Sequence, residues 1–498
     1  MTLPPLASVT VAPLPPLASA TVAQLRALLE SGEATSQALV EAHLAQINRF
    51  DPAFGAIRCL APGALVEAAH SDRIRREHGP RSPIEGIPVL IKDNIDVAGL
   101  PTTGGALALE HSVPAADAPI VAALRAAGAV ILGKTNLSEL ANFLTEDMPS
   151  GYSSLGGQVL NPYDTAITPS GSSSGSGAAA ALGFAPLTVG TETDGSITSP
   201  ADFQSIVGMK PTLGLVSRTG ILPIAPSQDT AGPMTRTVAD AALLLAAIAG
   251  PDATDPATVR AAAATAELRD LVFDPNALHG ARIGVVRQEP ESDEDKLDPA
   301  RDECHAAVLA ALREAGAQLF EVALPRFPRE DETAVLHYEF APAVDRYLAA
   351  LGPHAPMRSL AAIQAFNNAN AAAALKFRQV HVDAAVAIDH EREREAYRQA
   401  RARDLRFATD HLLQALGETL ECLVFPGASG CSWAARAGWP SIVVPAGYRS
   451  DNRRPVGVML VSRPWTDARL LQLAHSLERA HPVRRTPFEI NPAAFRRN

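Results

Sequence analysis

Two glycine- and serine-rich segments lie close together in this chain. The first is Thr168-Pro169-Ser170-Gly171-Ser172-Ser173-Ser174-Gly175-Ser176-Gly177. The second is Gly190-Thr191-Glu192-Thr193-Asp194-Gly195-Ser196-Ile197. Glycine-rich backbone lets N–H groups converge on an anion, as an oxyanion hole requires. Hydroxyls in such loops become nucleophiles when a base is near. A pair of flexible linkers would share this composition, but linkers are rarely flanked so tightly by Ala-rich helix and Leu/Val strand. Upstream, Leu90-Ile91-Lys92-Asp93-Asn94 ends an apolar run on a lysine. Burial disfavours a lysine's charge, and a neutral lysine is a general base. The plain alternative is a side chain that snorkels to solvent.

Two motif matches fail on physical grounds. Gly128-Ala129-Val130-Ile131-Leu132-Gly133-Lys134-Thr135 spells a phosphate loop. Such a loop needs a flexible turn between its glycines, and Ala-Val-Ile-Leu reads as a strand instead. Gly171-Ser172-Ser173-Ser174-Gly175 spells the nucleophile elbow of an α/β-hydrolase, with Ser173 as nucleophile. That elbow needs a strand before it, and Pro162 and Pro169 make a poor one. No histidine lies between His111 and His279, so a triad base would have to fold back from later positions such as His337 or His381.

The elements that must position these residues follow from the apolar pattern. Strands are expected at 87–91, 129–132 and 186–189, with helices at 120–127, 178–182 and 239–248; this alternation implies an α/β architecture. Residues 283–286 read as a further strand and 371–416 as a long helical stretch. Its charge run Glu391-Arg392-Glu393-Arg394-Glu395 fits a solvated helix face. The last part returns to α/β, with strands at 422–425, 441–444 and 456–461 and a helix at 468–480. At the start, Pro4-Pro5-Leu6-Ala7-Ser8 recurs as Pro15-Pro16-Leu17-Ala18-Ser19, which reads as a mobile Pro-rich tail over 1–20. Thr21 and Gln24 then form a capping box, and a second helix starts near Thr35 or Ser36.

Composition narrows the function classes. The 498 residues are 47% hydrophobic and 19% charged, a globular balance able to bury a large core. The net charge of −11 argues against binding along nucleic acid. Cys59, Cys304, Cys422 and Cys431 form no C-x-x-C pair, so neither a zinc site nor a disulfide framework is indicated. Residues 1–20 hold no Lys or Arg for a secretory signal, and no stretch reads as a membrane helix. A cytoplasmic enzyme is the expectation.

Lys92, Ser172 and Ser196, the serines 24 positions apart, together resemble the Ser-cisSer-Lys triad of the amidase signature family. Pro83–Asn94, Gly128–Leu140, Asp229–Met234, Ala437–Gly447 and Pro455–Val458 are similar to further family segments, so the resemblance runs from about residue 21 to 482. It implies one amidase signature domain over 21–498, with a mixed β-sheet core covered by helices on both sides. Within it lie a catalytic core at about 80–250, a variable helical substrate region at about 300–420 and an α/β return at 421–482. It further implies Ser196 as nucleophile, Ser172 as proton relay through a cis peptide with Gly171, and Lys92 as base. The backbone N–H groups of Thr193, Asp194, Gly195 and Ser196 would form the oxyanion hole. The reaction would cleave an amide C–N bond through an acyl-enzyme, without metal or organic cofactor.

The chain departs from the common pattern at Asp194, Ser170 and Ser174, where many members carry glycine. Thr191–Ile197, Gly151–Gln158 and Asn161-Pro162-Tyr163 look most like the peptide amidase branch, which removes C-terminal amides. Subunits that make Gln-tRNA usually carry Arg after the nucleophile; Ile197-Thr198-Ser199 stands here, which suits an uncharged acyl group. The expected partner is therefore a small-molecule or peptide amide bound by a monomer or homodimer, with Ser150 as a substrate contact. An arylamidase or carbamate hydrolase, and an amidotransferase subunit that works with a partner on aminoacyl-tRNA, are the alternatives.

Overall fold

A computed structural model describes residues 14–288, 298–328, 330–352 and 355–495. One eleven-stranded sheet runs through it. From one edge its order is Ile57–Leu60, Val130–Thr135, Pro88–Lys92, Leu187–Glu192, Thr230–Thr235 and Val207–Lys210. It continues through Ser441–Tyr448, Pro455–Ser462, Cys422–Pro426 and Arg282–Gln288 to Gln318–Leu324. Parallel and antiparallel pairs both occur. Pro88–Lys92 lies parallel to both its neighbours, while Thr230–Thr235 runs antiparallel to Leu187–Glu192. The expected α/β class with a mixed sheet and helices on both faces is therefore the fold of this chain.

Side-chain alternation along a strand sends neighbours to opposite faces. Val89 and Ile91 pack on one side with Leu25, Val121 and Leu245 from three helices. Leu90 packs on the other with Ala178 and Leu182 of the Ser174–Leu182 helix. The Thr21–Gln24 capping box starts the Val22–Ser31 helix as expected.

Three expectations change. The first Pro-rich repeat, Pro4–Ser8, lies outside the described residues, but the second is docked on the body. Ala18 and Ala20 are buried, and Arg236 and Arg484 donate to the carbonyls of Ala20 and Ala18. The 371–416 stretch is three helices, Ala371–Ala374, Val380–Val386 and Arg394–Leu416. Arg378 adopts φ +67°, and Asp389 Oδ1 accepts from the amides of Glu391 and Arg392, so side-chain and backbone geometry break the helix twice. Glu391–Glu393 is accordingly an exposed turn and not a helix face.

Candidate active site

Lys92 follows Leu90 by two positions and so faces the Ser174–Leu182 helix. That helix, SGSGAAAAL, is buried throughout. Its small residues let it lie directly on backbone: a Cβ on Gly175 would meet the carbonyl oxygens of Asn136 at 2.4 Å and Ala56 at 2.5 Å. The loop entering the helix carries Ser172. Lys92 and Ser172 are both fully buried, with Nζ 2.8 Å from Ser172 Oγ. Nζ also lies 2.8 Å from Thr191 Oγ1 and 3.2 Å from the Thr191 carbonyl, and Asn94 Nδ2 donates to the same Oγ1 at 3.0 Å. Burial pushes the Lys92 amine well below the ordinary lysine range, against the pull of Glu192 and Asp229. A neutral amine has two N–H groups and one lone pair. Its N–H groups match the two Thr191 acceptors, which leaves the lone pair for the Ser172 hydroxyl.

The Gly171–Ser172 peptide bond is cis. Ser170, where glycine is usual, adopts φ +58°, and its hydroxyl bonds Ser199 Oγ at 2.8 Å. Ser196 sits 7% exposed in the turn between the Leu187–Glu192 strand and the Thr198–Phe203 helix. Gly195 makes that turn at φ +78°. Glu192 Oε2 accepts from the amides of Ile197 and Thr198 and from Thr198 Oγ1, at 2.7, 2.8 and 3.0 Å. Among the described residues, the amides of Thr193, Asp194, Gly195 and Ser196 donate to no protein acceptor. Four consecutive unspent donors suit a developing oxyanion. No hydrogen bond joins Ser196 Oγ to Ser172 Oγ or Lys92 among the described residues.

Ser150, expected to touch substrate, borders the cis loop: its Cβ would lie 3.3 Å from a Cβ placed on Gly171. A cavity of about 690 Å³ opens beside the second loop. Its lining includes Asn94, Thr191, Thr193, Asp229, Arg218 and Tyr347, but neither Ser172 nor Ser196. Arg218 on its wall is paired with Asp255. Sequence reasoning missed Asp229 and Gln228 as supports of the loop, although Asp229 opens a segment similar to the family's. Asp229 Oδ1 accepts from Thr193 Oγ1 at 2.5 Å, and Gln228 Nε2 donates to the Thr193 carbonyl at 3.3 Å. Ser173, the rival nucleophile, is fully buried. The candidate bases His337 and His381 bond each other at 2.9 Å. Val130–Thr135 is a strand, which agrees with the rejection of the phosphate loop.

The amidase family's sequence profile matches residues 38–431, most of the chain. A probable amidase of Arabidopsis thaliana is 36% identical over 454 residues, 90% of this chain and 87% of that one. A glutamyl-tRNA(Gln) amidotransferase subunit from Myxococcus xanthus is 35% identical over 88% of this chain and 93% of its own length. Among solved structures, the native peptide amidase of Stenotrophomonas maltophilia superposes with a TM-score of 0.86 at 41% identity, over 95% of this chain and 99% of that one. The chain belongs to the amidase family. It is an amide-hydrolysing enzyme, with no described helix long and apolar enough to cross a membrane.

Proposed function

We propose that the chain hydrolyses a neutral amide, a peptide C-terminal amide or one like it, through an acyl-enzyme on Ser196. The observation that carries this reading is the buried Lys92 amine 2.8 Å from Ser172 Oγ, at the cis Gly171–Ser172 bond. Neutral Lys92 takes the Ser172 proton, and Ser172 takes that of Ser196 as Ser196 Oγ attacks the carbonyl carbon. Catalytic hydrogen bonds of this kind tighten once substrate is seated. The amides of Thr193, Asp194, Gly195 and Ser196 receive the oxyanion; one such donor is typically worth about 3–4 kcal/mol. The relay returns its proton to the leaving amine, the C–N bond breaks, and water releases the acid by the same path. The cavity of about 690 Å³ beside Thr193 is of ligand-pocket size and accommodates the bulk of the substrate.

The peptide amidase likeness, 41% identical over 95% of the chain, supports the substrate class. An amidotransferase role is the second reading, favoured by relatives of that name. Four free cysteines fit a reducing cytoplasm. The test is to incubate the purified chain and Ser196→Ala with a peptide amide, an anilide, a short aliphatic amide and a carbamate, scoring ammonia and amine separately. Ammonia from the peptide amide, absent in the variant, is expected. Amine from the anilide or carbamate keeps the mechanism and moves the substrate. Inactivity of the single chain on all four favours the amidotransferase reading, and equal activity of the variant removes Ser196 as nucleophile.

A further inference from the structure

The turn Ser227-Gln228-Asp229 stands between the oxyanion loop and the helical region after residue 300. On one side it holds Thr193: Thr193 Oγ1 donates to Asp229 Oδ1 at 2.5 Å, and Gln228 Nε2 donates to the Thr193 carbonyl at 3.3 Å. On the other side the Glu330–Ala350 helix holds the turn. The Ser227 amide donates to Glu339 Oε2 at 2.9 Å, and Gln228 Nε2 also donates to Glu332 Oε1 at 3.4 Å. Glu332 and Glu339 lie about two helical turns apart and so share one face of that helix. Glu332 is itself paired with the buried Arg436.

Glu339 is the firmer of the two supports. It is 7% exposed, and both its oxygens are used. Tyr397 Oη donates to Oε1 at 2.8 Å from the Arg394–Leu416 helix, and the Tyr397 ring stacks on Tyr338 with centroids 4.1 Å apart. Arg401, about one turn further along that helix, donates to the Ser227 carbonyl at 3.3 Å. Ser227 is therefore held at its amide and at its carbonyl, by two helices. We propose that Glu339, oriented by Tyr397, is a positioning residue that sets the 227–229 turn and through it the Thr193 end of the oxyanion loop, a role that rests on the hydrolysis proposed above. The contacts run from Tyr397 to Glu339, from Glu339 to Ser227, and from Gln228 and Asp229 to Thr193. Neither Glu339 nor Tyr397 lines the cavity beside that loop. Displacing the turn misaims the Thr193 amide and lowers kcat, while the cavity that seats the substrate keeps most of its lining and KM moves little.

Four substitutions separate the contacts. Glu339→Gln keeps an oxygen for the Ser227 amide and turns an NH2 group toward Tyr397 Oη, which then accepts. Glu339→Ala removes both contacts and strands the Ser227 amide. Tyr397→Phe keeps the ring stack and removes only the hydroxyl that orients Glu339. Thr193→Val removes the hydroxyl by which Asp229 holds the loop.

The test measures kcat and KM for a peptide amide and, in parallel, hydrogen exchange of the backbone amides of 190–197 and 222–230 by mass spectrometry. Glu339→Ala is expected to lose roughly tenfold in kcat, the scale of a partly misaimed donor set, with KM within about twofold of the parent's. Glu339→Gln is expected to stay close to the parent, and Tyr397→Phe to fall between the two. In a Thr193→Val background Glu339→Ala is expected to cost less than it does alone, because both act through one contact. Exchange in both segments is expected to quicken in Glu339→Ala and not in Glu339→Gln. Losses confined to KM, additive losses in the double variant, or a Glu339→Gln as impaired as Glu339→Ala each overturn the positioning role. If Glu339→Ala does not fold, unchanged kcat and exchange in Tyr397→Phe overturn it. If the parent hydrolyses no amide, the functional reading fails, and the exchange of 190–197 alone still decides whether Glu339 holds the loop.

Discussion

The backbone N–H of Ser173 donates to the carbonyl of Ser196 across 3.1 Å, which latches the loop of the cis bond to the loop of the proposed nucleophile. The Ser173 side chain adds to this latch: Oγ donates to the Thr191 carbonyl at 3.0 Å and accepts from the Thr191 amide at 3.2 Å. Thr191 in turn holds Lys92. Ser173→Ala keeps the backbone bond but leaves the Thr191 amide without that acceptor, at a cost of about 1–3 kcal/mol in a buried setting. Chemical denaturation is expected to show that loss. Amide hydrolysis should fall by roughly tenfold, the effect of a 1.4 kcal/mol higher barrier, and persist. Complete inactivity with an intact fold would return Ser173 as the nucleophile.

Much of this arrangement was legible from residue type and spacing. Lys92, Ser172, Gly171 and the 193–196 backbone bear their chemistry in local sequence, and the flanking strands declare themselves as short β-branched runs. The rest depends on contacts distant in sequence. Thr230–Thr235 was not expected as a strand, since it holds Gly232 and Pro233. Pro233 is tolerated opposite Val189 because the Val207–Lys210 strand pairs only with Met234 and Thr235. Glu332 gave no signal, because nothing local tells a carboxylate on a polar helix end that it will pair with the buried Arg436. The breaks after Ala374 and Val386 come from single-residue geometry at Arg378 and an Asx turn at Asp389, which a helical average conceals.

In the proposed mechanism, Lys92 as base sets the acid limb of the reaction. The neutral amine is the competent form, and burial lowers its pKa. The fraction of base therefore rises with pH, and kcat/KM is expected to climb and then level off at a pH well below that of an ordinary lysine. Lys92→Arg separates a base from a cation, because a guanidinium stays charged at every accessible pH. Its activity is expected to vanish without a climb at high pH, with folding checked by circular dichroism. Turnover near the parent's would exclude Lys92 as the base.

At Gly175 two effects oppose one another. Alanine is the better helix former, by about 0.8–1.0 kcal/mol in a helix interior and less at this second helical residue. Its Cβ, however, would stand 2.4 and 2.5 Å from two backbone oxygens that cannot rotate away. Overpacking a tight site costs about 1–3 kcal/mol, so the steric loss wins. Gly175→Ala is expected to lower the melting temperature and, by displacing the helix behind Ser172, to reduce kcat. A variant as stable as the parent would mean that the helix and the Asn136 strand end separate easily.

Lys134 is the lysine that a phosphate loop would use, and its surroundings explain it differently. Lys134 and Asp93 are both fully buried at 3.2 Å, and Nζ also donates to Thr102 Oγ1 at 3.0 Å and the Pro101 carbonyl at 3.2 Å. Burial raises the Asp93 carboxyl, and Lys134 is the leading influence that lowers it again. Lys134→Met leaves that carboxyl buried without its cation, a change that typically costs about 3–5 kcal/mol. Lys134→Met/Asp93→Asn removes the stranded charge and is expected to recover part of the loss. Magnesium ATP should leave the melting temperature of the parent unchanged. Thermal stabilisation of the parent by the nucleotide, lost in Lys134→Met, would instead make this lysine a phosphate ligand.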